Sequence, residues 1–496
     1  MDFQARLKRL AQQHSSIGPA QRRVDPEGVA TGTAWRNEGV PAVGVDPLLQ
    51  ARVEAQRQDT LEELRGLIAR AEARGRPVEG AGPSGPPASL PGQRVETRLG
   101  SVRLVDHFLD PDHHHGRVPI DGALTPDGEV VSMLALDPGL RGINWQRALY
   151  LDTETTGLSG GTGTLPFLVG CAWFEDQSLR VEQLFLESPA DEPALLERLR
   201  GHIEAASCLV SYNGKAFDWP LLLGRYVMAR AAPPPLRPHL DLLHVARRCF
   251  RRRLGSVRLV EIEEGVLGMR RERDVDGAEI PGLYWSFLRH RDGTAMQQVL
   301  EHNANDLVAL AALLGFVAER GKEVALHDDP VDHLALAEVA VKAKQKERAL
   351  AFVRAAFEGG GDAELTVRAG LLYAELLGKR KAIAEARGVL DQALEAAGRS
   401  PALAAPVHLA LAKLWEHRLK DPTRAEVHAR ATELAEGARE HLRRRARLTK
   451  KLERAAARAA LPPPKKGRRR SKVDPQVGVR MAAVNLEVNE PPGIFG

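Results

Sequence analysis

Residues 148–158 read ALYLDTETTGL, and the fold turns on how that stretch is taken. Its apolar start and polar finish predict a short buried strand that surfaces near Glu154. Side chains two apart on a strand share a face, so Asp152 and Glu154 project together from the edge of a sheet. Gly157, which has no Cβ, lets backbone come close to whatever lies there. Paired carboxylates repel each other unless a cation stands between them, and hard oxygen donors suit Mg²⁺ or Mn²⁺. A D-x-E pair by itself is equally well a solvated strand end.

On either side the pattern is that of a mixed α/β sheet. PFLVGCAWF (166–174) and LRVEQLFLE (179–187) read as two more strands, and their short connections favour antiparallel neighbours. Upstream, VETRLGSVRLVDHFL (95–109) and GEVVSMLAL (128–136) read as short strands. Downstream, DEPALLERLRGHIEAA (191–206) is a helix with an acidic first turn. CLVSYN (208–213) is a further strand, and helix dominates from there to about Arg320.

A second acidic position lies in LVSYNGKAFDWPLLLGR (209–225). The strand ends at Tyr212, Asn213 and Gly214 turn the chain, and a helix begins near Phe217. Asp218 then occupies the first helical turn, and Pro220 is tolerated there because an early position need not donate a backbone bond. Such an acid is either a helix cap or a ligand. The third position is the helix MQQVLEHNANDLVALAALLGF (296–316), with Leu300, Leu307, Leu310 and Leu313 on its apolar side. His302 and Asp306 lie one turn apart on one face. Four acids and a histidine from three elements describe a two-metal centre for phosphodiester cleavage. Asp152, Glu154, Asp218 and Asp306 are the ligands, and His302 orients or deprotonates the attacking water.

In this order, LDTETTGL, YNGKAFDWPLL and HNANDLVAL resemble the motifs of the DEDD (DnaQ-like) superfamily of 3′–5′ exonucleases on the ribonuclease-H-like fold. More narrowly, the chain is similar to YprB-type bacterial members, in which such a domain precedes tetratricopeptide-like helices. The stretch 239–288 shares the likeness, which covers about residues 95–320 well and the later helices loosely. It implies that Thr155, Gly157 and Leu158 border the terminal nucleotide; Asn213 either contacts substrate or only makes its turn. The family places a tyrosine four residues before the last acid or a histidine five before. Here His302 stands four before Asp306, and Glu301 five before.

The chain has 496 residues, enough for two or three domains. Residues 1–93 read as a weakly structured leader, with one Glu/Arg/Leu-rich segment at 48–74 and a Gly/Pro linker at 79–92. Residues 94–320 are expected to form the α/β domain, 330–437 tetratricopeptide-like helix pairs, and 438–496 a basic helix and flexible tail. Ala349, Ala386 and Ala425 fall at matching places in the second helix of each pair. The net charge of +5 permits nucleic acid as a partner. Cys171, Cys208 and Cys249 are scattered, without disulfide or zinc spacing, as expected in a reducing cytoplasm, and no apolar run is of membrane-spanning length. The arginines at 247, 248, 251, 252 and 253 are either phosphate contacts or a solvated face. Asp241 reads as an organiser of the fold, and His113, His114 and His115 as loop.

The expected activity is metal-dependent hydrolysis of DNA or RNA from a 3′ end, using two Mg²⁺ or Mn²⁺ ions, with the C-terminal helices binding a protein or positioning substrate. The alternatives are a non-catalytic adaptor with a nuclease-like domain and a structure-selective endonuclease.

Overall fold

The computed structural model describes residues 89–157, 163–324 and 329–459. The leader segment at 48–74, most of the 79–92 linker, Leu158 and the tail beyond Ala459 lie outside the described residues.

A hairpin of β1 (Gln93–Thr97) and β2 (Gly100–Leu109) opens the described chain. A two-residue ladder follows, β3 (His114–His115) with β4 (Val118–Pro119). Next come β5 (Ala148–Thr155), β6 (Pro166–Glu175) and β7 (Ser178–Phe185), then β8 (Cys208–Ser211) and β9 (His239–Asp241). The main sheet has seven strands in the order β1-β2-β7-β6-β5-β8-β9. From β1 to β5 every neighbour is antiparallel, whereas β5, β8 and β9 run parallel. The turn-linked meander explains the first half. A helical crossover, α2 (Glu192–Ala205), explains the parallel step from β7 to β8 beside β5.

The GEVVSMLAL stretch is not a strand. It forms helix α1 (Gly128–Ala135), capped by the Asp127 carboxylate on the Glu129 and Val130 amides and stopped by Leu136 in the left-handed region. Two adjacent valines suggested a strand; the cap and five successive buried residues override that propensity. The HLD triplet is a short strand, β9, within the stretch where helix dominates, and His114 and His115 are strand residues rather than loop, His115 being buried.

Both sheet faces are covered. Leu149 and Leu151 of β5 point into one apolar cluster, with α2, α3 (Asp218–Met228) and α5 (Ile280–His290); Ala148 and Tyr150 point into the other. That second cluster takes in α4 (Leu242–Cys249) and the C-terminal half of the long α6 (Thr294–Arg320). It continues without a break into α7 (Pro330–Lys342), α8 (Lys346–Glu358) and α9 (Ala363–Lys379), so the later helices share a core with the sheet. A third cluster joins α9 to α10 (Ile383–Ala397), α11 (Pro401–Leu414), α12 (Pro422–Ala429) and α13 (Ala438–Ala459). Ala349, Ala386 and Ala425 are all buried, on α8, α10 and α12.

The basic helix α13 is not a free cationic ribbon. Glu416 receives Arg444, Arg447 and Lys451, while Glu436 and Glu426 take Arg444 and Arg445. Among the described residues no helix is long and apolar enough to cross a membrane.

Candidate metal centre

Asp152 and Glu154 stand near the C-terminal end of the central strand β5. In register Asp152 faces Gly170 of β6 and Glu154 faces Leu168, and the ladder slips between Glu154 and Thr155. Gly170 has a steric reason: a Cβ there would lie 2.3 Å from Asn303 Oδ1 and 2.7 Å from Leu307 Cδ1. Without it, α6 settles on the sheet and Asn303, fully buried, donates from Nδ2 to Asp152 Oδ2 at 2.8 Å. Gln183 of β7 fixes that amide, giving its Nε2–H to Asn303 Oδ1 at 2.9 Å and to the Leu300 carbonyl at 2.7 Å.

Asp218 opens α3, and the Thr153 hydroxyl, from between the two strand acids, donates to its carboxylate. The turn that delivers it is organised by Asp241, which accepts the Asn213 amide at 2.8 Å and the Lys215 amide at 3.2 Å. Asn213 is left-handed, at φ +66°, a region asparagine tolerates better than most residues. Thr155 Oγ1 donates to the Gly157 carbonyl at 2.8 Å, beside Glu154.

From α6, His302 and Asp306 meet the strand acids. His302 Nε2 lies 3.8 Å from Glu154 Oε1 and 3.8 Å from Asp306 Oδ2. Its Nδ1 is 2.7 Å from Asp274 Oδ1. A proton held on Nδ1 by that carboxylate leaves Nε2 as the acceptor facing the acids. Arg271, only 5% exposed, bonds Asp306, Glu263 and Asp274 together, and His115 Nε2 meets Glu263 at 2.6 Å.

The electrostatics are those of a site short of positive charge. Burial, then the Asp306 and Asp218 charges, push the Asp152 carboxyl well above the usual range, with Asn303 opposing. Glu154 is pushed up in the same way by burial and by Asp152, Asp306 and Asp218. Burial raises Asp218 to about 6 against the Thr153 hydroxyl, and raises Asp306 against Arg271 and His302. Four oxygen-donor groups that resist ionising together fit a hard divalent cation. Among the described residues no three His, Cys, Asp or Glu side chains already close on a point suited to a metal. One oxygen of Asp218 accepts from the Thr153 hydroxyl and one of Asp306 from the Arg271 guanidinium.

The five residues singled out from the three motifs therefore lie around one sheet end. Thr153, Gln183, Arg271, Asp274 and Asn303 were not singled out. Asn303 had a usable signal, a polar residue on the apolar stripe between Leu300 and Leu307. Arg271 and Asp274 sit in MRRERD, a charged run without periodicity.

The mixed sheet, with acids at the end of the interior strand β5 where antiparallel pairing gives way to parallel and a helix bringing a fourth, defines a ribonuclease-H-like domain. Residues 149–317 match the RNase_H_2 family, described as RNase_H superfamily, and the chain belongs to that superfamily. It is also 32% identical over 290 residues to the protein of Bacillus subtilis (strain 168) described as "Uncharacterized protein YprB", covering 57% of this chain and 68% of that one. A nuclease-like, nucleic-acid-directed domain follows from this membership.

Proposed function

We propose that the chain is a divalent-metal-dependent 3′–5′ exonuclease of DEDD type, with residues 94–320 as its catalytic domain. The supporting observation is the convergence of Glu154, His302 and Asp306 within 3.8 Å contacts, beside Asp152, whose carboxyl is pushed up by burial and by the nearby Asp306 and Asp218 charges. Asp152, Glu154, Asp218 and Asp306 are the residues to hold Mg²⁺ or Mn²⁺. When bound, a pair of such ions supplies an activated water and charge stabilisation at the phosphate.

The chain's own groups do the rest. His302, with Nδ1 committed to Asp274, takes a proton from water at Nε2. Asn303 holds Asp152 in place, and Arg271 orients Asp306. Thr155, Gly157, Leu158 and Asn213 border the terminal nucleotide. The tetratricopeptide-like helices 330–437 hold a protein partner or position the strand. Three cysteines, all buried and unpaired, suit a cytoplasmic setting.

The test is cleavage of a 5′-labelled single strand with Mn²⁺, in DNA and RNA forms. The reading expects a ladder shortening from the 3′ end, abolished in Asp152→Asn. Equal degradation by wild type and variant, or none by either, returns the chain to the adaptor reading. Internal cuts in a circular substrate favour the endonuclease.

A further inference from the structure

Between residues 247 and 258 the chain carries six arginines, and the structure sorts them. Arg248 donates to the Leu134 carbonyl at 3.1 Å. Arg252 pairs with Glu338 at 3.2 Å, Arg253 with Asp332 at 2.8 Å and Arg258 with Glu261 at 2.8 Å. Arg252 and Arg253 thus fasten α4's continuation to α7 rather than waiting for phosphate. Arg247 and Arg251 differ: both are exposed, and among the described residues neither has an acidic partner.

These two flank an open cleft of about 500 Å³, whose wall also includes Tyr212, Asn213, Ser256 and Arg258. The rim is built. Gly255 reverses the chain at φ +77°, and the Tyr212 hydroxyl donates to the Val257 carbonyl at 2.6 Å, tying the Ser256–Arg258 segment to the end of β8. Tyr212 and Asn213 form the cleft's other wall, and the next residue backs onto one acid: a Cβ on Gly214 would lie 3.2 Å from Asp218 Oδ2. Three residues on, at the head of α3, Phe217 is 54% exposed. Its backbone N–H donates to the carbonyl of the cleft-lining Asn213 at 3.3 Å, so one exposed aromatic stands a single turn of chain beyond the cleft wall. Guanidinium groups without acidic partners and an exposed ring on the way to Asp218 are the groups that grip single-stranded nucleic acid, with phosphates on the charges and a base on the ring.

We propose that this cleft is the strand-binding track of the protein. Arg247 and Arg251 take backbone phosphates of a single strand, and Phe217 stacks a base as the strand passes towards Asp218. The inference rests on the nuclease reading for its direction but not for its binding chemistry. Nucleic acid is favoured over an acidic peptide because the cleft adjoins the turn that leads to Asp218 in a domain of the RNase_H superfamily.

The test is equilibrium binding of a fluorescent oligothymidylate to the full chain in chelator, where turnover is absent, across a salt series. Arg247→Ala with Arg251→Ala should lower the magnitude of the log Kd against log salt slope by about 1.4, at about 0.7 per phosphate contact on a single strand. Phe217→Ala should weaken binding roughly 5- to 150-fold with the slope unchanged. Arg252→Ala, outside the cleft, should alter neither. Circular dichroism confirms that each variant is folded. An unchanged slope in the double variant, an equal fall in Arg252→Ala, or polyglutamate binding as tightly as the oligonucleotide overturns the proposal. If the slopes behave as expected but no metal-dependent hydrolysis is found, the track stands and the nuclease reading falls.

Discussion

Arg271 is a strong cation built into the acidic cluster from outside the three motifs, and its replacement by glutamine tests the electrostatic account. Its guanidinium, 5% exposed, bonds Asp306, Asp274 and Glu263, the last with no exposed side-chain surface. Removing one partner of a buried ion pair costs about 3–5 kcal/mol, because the remaining charge is left uncompensated. At about 2–4 °C per kcal/mol for a domain of 150–250 residues, Arg271→Gln should melt roughly 6–20 °C below wild type in chelator. A divalent ion supplies the missing charge, so Mn²⁺ should raise the midpoint more in the variant than in wild type. Saturation at about 100 times Kd contributes about 2.7 kcal/mol. Thermal unfolding followed by circular dichroism, with and without Mn²⁺, makes the comparison. A variant within about 1 kcal/mol of wild type in chelator, or one with the smaller Mn²⁺ response, refutes the reasoning.

Other expectations follow from single contacts. Gly170→Ala must push Asn303 and Leu307 away; overpacking of this kind costs about 1–3 kcal/mol, and with Asp152 losing its amide the Mn²⁺-induced stabilisation should shrink, both read from urea midpoints. Asp274→Asn frees the His302 ring from the carboxylate at 2.7 Å; turnover should fall about 10- to 100-fold, while calorimetry finds Mn²⁺ still bound. In the helical region, the Arg447 guanidinium and Lys451 hold the Glu416 carboxyl down to about 2. A depressed acid contributes stability above its ordinary pKa near 4.5 and loses it as pH falls from there towards 2, worth about 3 kcal/mol. Hydrogen exchange in α13 should therefore accelerate over that window, and Glu416→Gln should flatten the dependence.

Where apolar alternation is strong, the sequence announces the structure. ALYLDTET alternates between two apolar clusters as β5, and the two runs after it form the antiparallel meander. The apolar stripe of α6 places His302 and Asp306 on the side facing β5, because Leu300, Leu307, Leu310 and Leu313 are buried. Short elements resist such reading. Two valines in GEVVSMLAL carry strand propensity, but the Asp127 cap and tertiary burial make a helix. β9 has three residues, too few for a period. His115 is decided by Glu263, 148 positions away. The arginines at 247–253 share one composition yet divide between internal ion pairs and an open cleft, since their partners Asp332 and Glu338 come from a later helix. Arg271 and Asp274 matter through what they touch, and no local pattern encodes that.

The account stands on four carboxylates sharing a divalent cation. Titration of Mn²⁺ into the full chain by calorimetry, beside Asp152→Asn, measures this directly. Saturable binding by wild type, lost or greatly weakened in the variant while its circular dichroism is unchanged, is the predicted result. Absence of saturable binding in wild type, or equal binding in both proteins, contradicts it.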